Sequence, residues 1–384
     1  MPTPSVSIPP YTVRIRDAAM VQRGELGRMT GLKLIPRFND VGAFEITLPY
    51  SHPKTALIAK GGWIEFLSND ATIMAGQIRG IKLVEDESNV GGTLTAYGPS
   101  AEQVIADRLA YQVPGSAATS QGADDYDNRT GIAETIIKQY VNVNAGPGAI
   151  AARQVATLVI ETDLVRGSSV KGSARMTNLL ELCQGLALAG GLGFRVVFNA
   201  SNQLEFQIYV PTDRSGSAKF GTDLGNLVSY ELTQEASKSS CVIVGGGGDG
   251  TARTFRETND VPSQALWSNR SETFIDQRDT TDTTELDQAA FEELTTNGPV
   301  NGLAIKTADT PNLKYNVGYF LGDKVSIPAA GVTDILREVE IEWDADTGPS
   351  TSSTVGTAST TGTLAMLKKL ADLNAKVAAL EAKK

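Results

Sequence analysis

The chain has 384 residues, of which 41% are hydrophobic, 20% charged and 6% aromatic. At roughly 150 residues per domain that suits two or three globular domains and excludes a disordered tail. No uncharged apolar run approaches the roughly 18 residues that cross a bilayer, and 34 Lys+Arg against 44 Asp+Glu leave a net charge of −10, which disfavours a broad phosphate-gripping surface.

Met1 to Pro10 has neither a basic n-region nor an apolar h-region, so it does not read as a secretory signal, and synthesis and folding in a cytoplasm are expected. The next hundred residues are dense in strand signals. Tyr11 to Arg16, Leu32 to Phe38, Ala43 to Leu48, Trp63 to Leu67, Thr72 to Val84 and Thr93 to Tyr97 are rich in β-branched or aromatic residues or alternate with period two. They predict a β domain over 1–110, closed by a helix over Ser100 to Ala110 with Val104, Ile105 and Leu109 inward.

Residues 111–211 read as an α+β domain. A Gly/Ser/Asp-rich loop precedes a helix carrying Ile132, Ile136, Ile137 and Tyr140. A second helix is predicted to start near Ser173, with Met176, Leu179, Leu180, Cys183 and Leu186 on one side and Gly190-Gly191 as its stop. A hairpin of Phe194 to Phe198 and Leu204 to Val210 follows. Strand signals at Leu227 to Leu232, Cys241 to Val244, Lys324 to Ile327 and Ile335 to Trp343 predict a second β domain over 212–347. A helical insertion at about 262–302 interrupts it, with Asp282 or Thr283 as N-cap, Leu286, Ala289, Ala290, Phe291 and Leu294 as the face of its helix and Gly298 as the stop.

Residues 348–363 are mostly Ser, Thr and Gly and read as a flexible linker. Residues 364–384 read as a coiled-coil helix, because Met366, Leu370, Leu373, Val377 and Leu380 recur at alternating steps of four and three. These five are the expected oligomerisation residues. The fold class expected is therefore α+β and β-rich, with several domains.

Chemistry-bearing motifs are scarce. His52 is the single histidine, which forecloses a His-pair metal site and leaves only one base for a Ser-His or Cys-His mechanism. Its setting, Pro49-Tyr50-Ser51-His52-Pro53, is that of a turn. Cys183 and Cys241 suggest neither a disulfide framework nor zinc. Val244-Gly245-Gly246-Gly247-Gly248-Asp249-Gly250 satisfies G-x-G-x-x-G formally, but the alternating Thr251 to Arg256 that follows is not a helix. A turn between antiparallel strands is expected there rather than a phosphate cradle. In an EF-hand register the loop from Asp125 to Ile136 puts Arg129 at position five and Ile136 where a bidentate Glu belongs, which favours a solvated loop and leaves only an irregular cation site open. Asp344-Ala345-Asp346 is equally weak. No carboxylate sits in a recognisable catalytic setting, although spacing alone does not rule out an acid pair. No catalytic residue, cofactor or metal site is expected, and no small-molecule substrate.

Several segments carry a resemblance. They are Gly42-Ala43-Phe44-Glu45-Ile46-Thr47-Leu48-Pro49, Leu94-Thr95-Ala96-Tyr97-Gly98, Gly193-Phe194-Arg195-Val196, Val242 to Arg253, and Leu321-Gly322-Asp323-Lys324-Val325. In that order, over about residues 10 to 345, the chain resembles the tail-tip hub proteins of long-tailed bacteriophages, the siphophage tail-associated-lysin family and its contractile-baseplate relatives. The best match is a hub-like subfamily from phages of actinobacteria. The resemblance implies a virion tail-tip protein, a homotrimer whose two tube-type β domains per chain make a pseudo-hexameric ring. Such a ring meets the tail tube and distal tail protein above and other tail-tip or fibre proteins below, and tape-measure protein and DNA pass through its lumen without specific nucleic-acid binding. Family members with a peptidase or lysozyme domain after the hub differ from this chain, which ends on its short helix; that argues against lytic activity. Two other classes compete: a receptor- or glycan-binding minor tail protein, and a cell-wall hydrolase.

Overall fold

The computed structural model describes residues 11–356 apart from 69, 88, 309, 311 and 312. Period-two alternation builds its first core. In strands Thr12–Arg16, Gly31–Ile35 and Ala43–Pro49 the inward residues Val13, Ile15, Leu32, Leu34, Phe44, Ile46 and Leu48 are all buried, as a half-covered pleated strand requires. Strands Gln22–Leu26, Thr12–Arg16, Trp63–Ser68 and Ala71–Gln77 form a four-stranded sheet in that order. Its residues Val13, Ile15, Ile64 and Phe66 share one core with Leu34, Ile46 and Trp343 of a nine-stranded sheet. The rings of Phe44 and Phe66 meet across the two sheets at 5.3 Å.

The long sheet runs in the order Leu227–Glu235, Val300–Thr307, Gly348–Gly356, Val332–Asp344, Gly31–Ile35, Ala43–Pro49, Asn89–Pro99, Gly80–Asp86, and Lys324–Ile327 branches from Val332–Asp344. Strands from both expected β domains therefore lie in one sheet over one core. The join is the antiparallel ladder of Ile341 with Leu34 and Trp343 with Leu32. Local sequence does not show such a partner, because each strand of the pair also satisfies the pattern of an independent sandwich.

Three further expectations are corrected. Gly348–Gly356, read as the start of a linker, is a strand paired on both sides, with Val300–Thr307 and with Val332–Asp344. Its Thr351, Ser353 and Val355 are buried; backbone ladders need no apolar side chain, so a Ser/Thr composition is compatible with a central strand. The run Thr72 to Val84 is two strands in different sheets, Ala71–Gln77 and Gly80–Asp86. The helix expected over Ser100 to Ala110 is one turn, Gln103–Ala106. The rest of the linker and the residues Met366, Leu370, Leu373, Val377 and Leu380 lie outside the described residues.

Between the two β sections, helices Ala133–Asn144 and Leu179–Gly190 share a second core with a sheet of Val159–Ile160, Leu204–Tyr209 and Gly193–Phe198. The second helix begins six residues later than expected. Asn178 caps it by accepting the N–H of Leu180 at 2.9 Å, and Ser173, where the helix was expected to start, lies in a strand, Ser169–Ala174, with Val170 and the small residues Gly172 and Ala174 inward. Gly172 is required there, since a Cβ would lie 2.6 Å from the Tyr140 ring. Met176 precedes the helix and is exposed. Gly191 ends it at φ 68°.

A buried ion cluster fixes the start of the first helix. Glu134, 0% exposed, accepts from Lys138 at 2.6 Å, from Arg166 Nε and Nη2 at 2.8 Å each, and from the N–H groups of Leu164 and Arg166. Burial alone would push its carboxyl up, but Arg166, Lys138 and the two N–H donors outweigh burial and hold it well below the usual carboxylate range.

Side chains lock this section to the first. Asn39, at φ 53°, donates to Leu192 O at 3.0 Å and accepts Phe194 N–H at 2.8 Å, while Glu102 accepts Val196 N–H at 3.0 Å. Two residues thereby satisfy the free edge of strand Gly193–Phe198 as a neighbouring strand would. Arg16 adds a buried bond to Glu65 at 2.8 Å and lies 4.1 Å over the Phe198 ring.

The insertion is larger than expected. Cys241–Gly245, Phe255–Asn259 and Glu272–Asp276 form a separate three-stranded sheet with helices Val261–Trp267 and Thr283–Thr296. Cys241 to Val244 is thus not a strand of the long sheet, and Val300–Thr307, partly inside the expected insertion, is. The helix Thr283–Thr296 starts at the expected cap, where Asp282 accepts Thr284 N–H at 2.8 Å, and buries Leu286 and Ala290, but Phe291, expected on the same face, is exposed.

Two predictions follow from these features. Ser352→Pro removes a donor from a doubly paired strand and should cost about 1–3 kcal/mol in urea unfolding; an unchanged midpoint would mean that residues 348–356 behave as a linker. Glu102 has its acidity weakened by burial, against the opposing bonds from Ser100 and Val196. Its folded pKa exceeds its unfolded one, so its contribution is most favourable at low pH and is lost as pH rises through the folded value. Glu102→Gln, which keeps an acceptor for Val196, should gain stability relative to the wild type as pH rises across that window, read as melting temperature against pH.

Candidate functional site

The long sheet buries one face and leaves the other open. Along Val332–Asp344 the inward Val339, Ile341 and Trp343 alternate with Glu338, Glu340, Glu342 and Asp344. In register beside them on the open face stand Ser350, Ser352 and Thr354, Lys33, and then Glu45 and Thr47. Thr93, Thr95 and Tyr97 continue the face on one side, with Lys82 and Val84 beyond; Ala304, Lys306, Ser229, Glu231 and Thr233 continue it on the other. The face is a field of hydroxyls and carboxylates with few cations.

Lys33 and Arg37 are neutralised, whereas the more distant Lys82 and Lys306 make no ion pair among the described residues. Lys33 Nζ lies 2.8 Å from Glu340 and 2.9 Å from Glu342. These bonds raise the ammonium pKa, and the Lys33 bond lowers that of Glu342. Arg37 is bonded to Glu338 at 2.5 Å. The surface can hydrogen-bond water and carry negative potential, but it presents no cluster of free cations to a phosphate. Near Tyr97, which is 47% exposed, the face dips into a shallow depression walled by Ile35, Ala43 and Pro99.

The sheet has two ends. Gly80–Asp86 pairs only with Asn89–Pro99, and Leu227–Glu235 only with Val300–Thr307, among the described residues. Each bears exposed apolar side chains, Leu83 and Val84 on one and Val228 and Tyr230 on the other. Unpaired edge strands with apolar side chains invite pairing with another chain.

The motifs weighed in the sequence lie elsewhere. His52 is in the turn after Ala43–Pro49, its Nδ1 accepting Lys54 N–H at 3.1 Å. The glycine run joins the antiparallel strands Cys241–Gly245 and Phe255–Asn259, as the turn reading expects. Two of its N–H groups are taken, that of Gly246 by Thr254 O at 2.8 Å and that of Gly247 by Thr280 O at 2.7 Å. Arg253 packs so closely on Gly245 that a Cβ there would lie 2.6 Å from its guanidinium. In the acidic loop Asp127 is held by Arg129 at 2.8 Å. Among the described residues no group of three or more His, Cys, Asp or Glu side chains converges on a metal-sized site, and no helix is long and apolar enough to cross a membrane. Sequence reading passed over the Glu338, Glu340, Glu342 alternation, which is visible as period two against Val339, Ile341 and Trp343.

The arrangement of sheets and helices is shared with phage tail proteins. The 43 kDa tail protein of prophage MuSo2 from Shewanella oneidensis superposes with a TM-score of 0.58 at 12% identity, over 90% of this chain and 98% of that one. A tail protein from Neisseria meningitidis gives 0.57 at 13% identity, over 90% and 96%. Prophage tail protein gp18 from Listeria monocytogenes gives 0.50 at 12% identity, over 94% and 98%. No curated protein sequence matches the chain. Residues 12–357 match the model of the Siphovirus ReqiPepy6 Gp37-like protein family, and the chain belongs to that family.

Proposed function

We propose that the protein is a structural, non-catalytic tail-tip hub of a long-tailed phage, in which three copies close into a ring whose lumen passes DNA. The observation that carries this reading is the long sheet itself, polar and acidic on its open face and unpaired at both ends. A heterologous contact repeated by rotation closes a ring, and here the edge Gly80–Asp86 of one copy would meet Leu227–Glu235 of the next. The open face then turns inward. Its carboxylates and hydroxyls keep their hydration and repel phosphates, so the cargo slides without the salt-sensitive grip that cations give. The heptad residues Met366, Leu370, Leu373, Val377 and Leu380 supply a further seam between the chains on the axis. The tail tube, the distal tail protein and the outer tail-tip proteins are the expected neighbours.

A reconstruction of the assembled tail tip tests the reading directly: the chain should surround the axis in three copies with Glu340 and Glu342 facing the lumen. Location on an outer fibre, or a lumen dominated by Lys and Arg, would refute it. Two variants extend the test. Val84→Lys with Val228→Lys puts charge on both edges and should shift the mass of the purified protein from trimer towards monomer. Glu340→Lys with Glu342→Lys joins Lys33 in a cationic cluster and should create DNA binding that weakens steeply between about 50 and 200 mM salt, measured by gel shift.

A further inference from the structure

In a chain of net charge −10, three arginines around one short ladder of the middle section, Arg108, Arg153 and Arg175, have no carboxylate partner among the described residues. Strands Leu109–Ala110 and Thr177–Asn178 pair in a short antiparallel ladder. Arg108 precedes the first strand and donates from Nε to Arg153 O at 3.1 Å. Arg153 donates to Asn144 Oδ1 at 3.1 Å and to Leu109 O, and its guanidinium stacks 3.5 Å over the Tyr111 ring. Arg175, which leads into the second strand, is exposed and lies 5.4 Å over Tyr126. Their contacts are to carbonyls, an amide oxygen and aromatic rings, with no ion pair among the described residues. Asp107, whose field reaches Arg108, is itself bonded to Arg79 and Gln103. Asp124 and Asp125 of the adjoining loop are exposed and make no ion pair with the arginines.

The setting is rigid and partly apolar. The stacking and carbonyl bonds fix the Arg153 guanidinium in one orientation, so a carboxylate arriving beside it meets a positive charge already held in place. Burial lowers the pKa of Arg153, and the nearby Arg108 lowers it further; an anion would relieve that repulsion. Leu109 is 43% exposed and Met176 36% exposed. Ladder register puts Met176 opposite Tyr111, and its φ of 53° is a conformation that few non-glycine residues adopt.

We propose that this surface docks an acidic segment of a neighbouring tail protein, with Asp or Glu side chains on Arg108, Arg153 and Arg175 and an apolar side chain on Leu109 and Met176. The apolar residues beside the arginines favour such a peptide over a bare polyphosphate, which would leave them without a partner. The proposal needs only that the chain be built into a tail, so failure of the ring reading leaves it standing.

Photo-crosslinking tests it. With p-benzoylphenylalanine replacing Met176 in assembled tails, the crosslink should map to a protein segment where Asp or Glu adjoins Leu, Ile, Val or Phe, and Arg175→Glu should cut the yield at least tenfold. No crosslink, a crosslink to nucleic acid or to a segment without acids, or a yield indifferent to Arg175→Glu overturns the proposal. A second measurement does not depend on assembly. A fluorescein-labelled Glu-Leu repeat peptide should bind the purified chain at least tenfold more tightly than its Gln-Leu counterpart, with the preference lost in Arg175→Glu. Equal binding of the two peptides, or displacement by inorganic phosphate at matching concentration, overturns it as well.

Discussion

The ladder between Gly31–Ile35 and Val332–Asp344 is the contact on which the molecule's form depends. Without it Gly31–Ile35, Ala43–Pro49, Asn89–Pro99 and Gly80–Asp86 on one side and the strands after residue 227 on the other are two shorter sheets, each with an apolar face and a free edge at the join. With it, Leu32, Leu34, Ile341 and Trp343 close one core, and a single sheet spans both sections. The open face gains its extent from the same join: Lys33 can reach Glu340 and Glu342 only because the two strands are neighbours.

The middle section is held to this frame by a different kind of contact. Asn39 and Glu102 use side-chain oxygens and an amide where a strand would use its backbone. Leaving such buried N–H groups unpaired would be costly, and the side-chain solution fixes the angle between sections at single residues. The insertion is attached more loosely. Its core rests on Val242, Val244, Leu286 and Ala290, and its helix Thr283–Thr296 meets the middle section through polar groups: Lys171 with Asp282, and Gln288 with the Lys171 backbone at 2.9 Å.

Strand identity was widely legible in the sequence, and strand partnership was not. Phe44, Ile46 and Leu48, or Val196 and Phe198, announce a buried face through alternation alone, and Gly190-Gly191 announces a helix end. Which strands pair is decided by a core that no window of a dozen residues contains. The Ser/Thr strand Gly348–Gly356 shows the limit most clearly: composition reports what side chains can bury, whereas a central strand is held first by backbone hydrogen bonds. Ser169–Ala174 did not announce itself as a strand for a related reason: besides Val170 its inward residues are the small Gly172 and Ala174, and Gly172 is chosen by the Tyr140 ring above it. The open acidic face was within reach, since Glu338, Glu340 and Glu342 alternate plainly; only the length of the sheet that displays them was not. The arginines of the short ladder are scattered from 108 to 175, and only folding brings them together.

Long separation along the chain also has a consequence for how the molecule is made. Lys33 and Glu340 stand 307 positions apart, and a ribosome adding about 5–20 residues per second takes about 15–60 s to cover that interval. Throughout it Gly31–Ile35 has a finished neighbour in Ala43–Pro49 on one side and nothing on the other. A newly made chain therefore exposes an open strand edge in the crowded company of its sister chains on the same message. Lys33 and Glu45, charged residues on that stretch, hinder the wrong pairings until the last strands emerge to supply the right one.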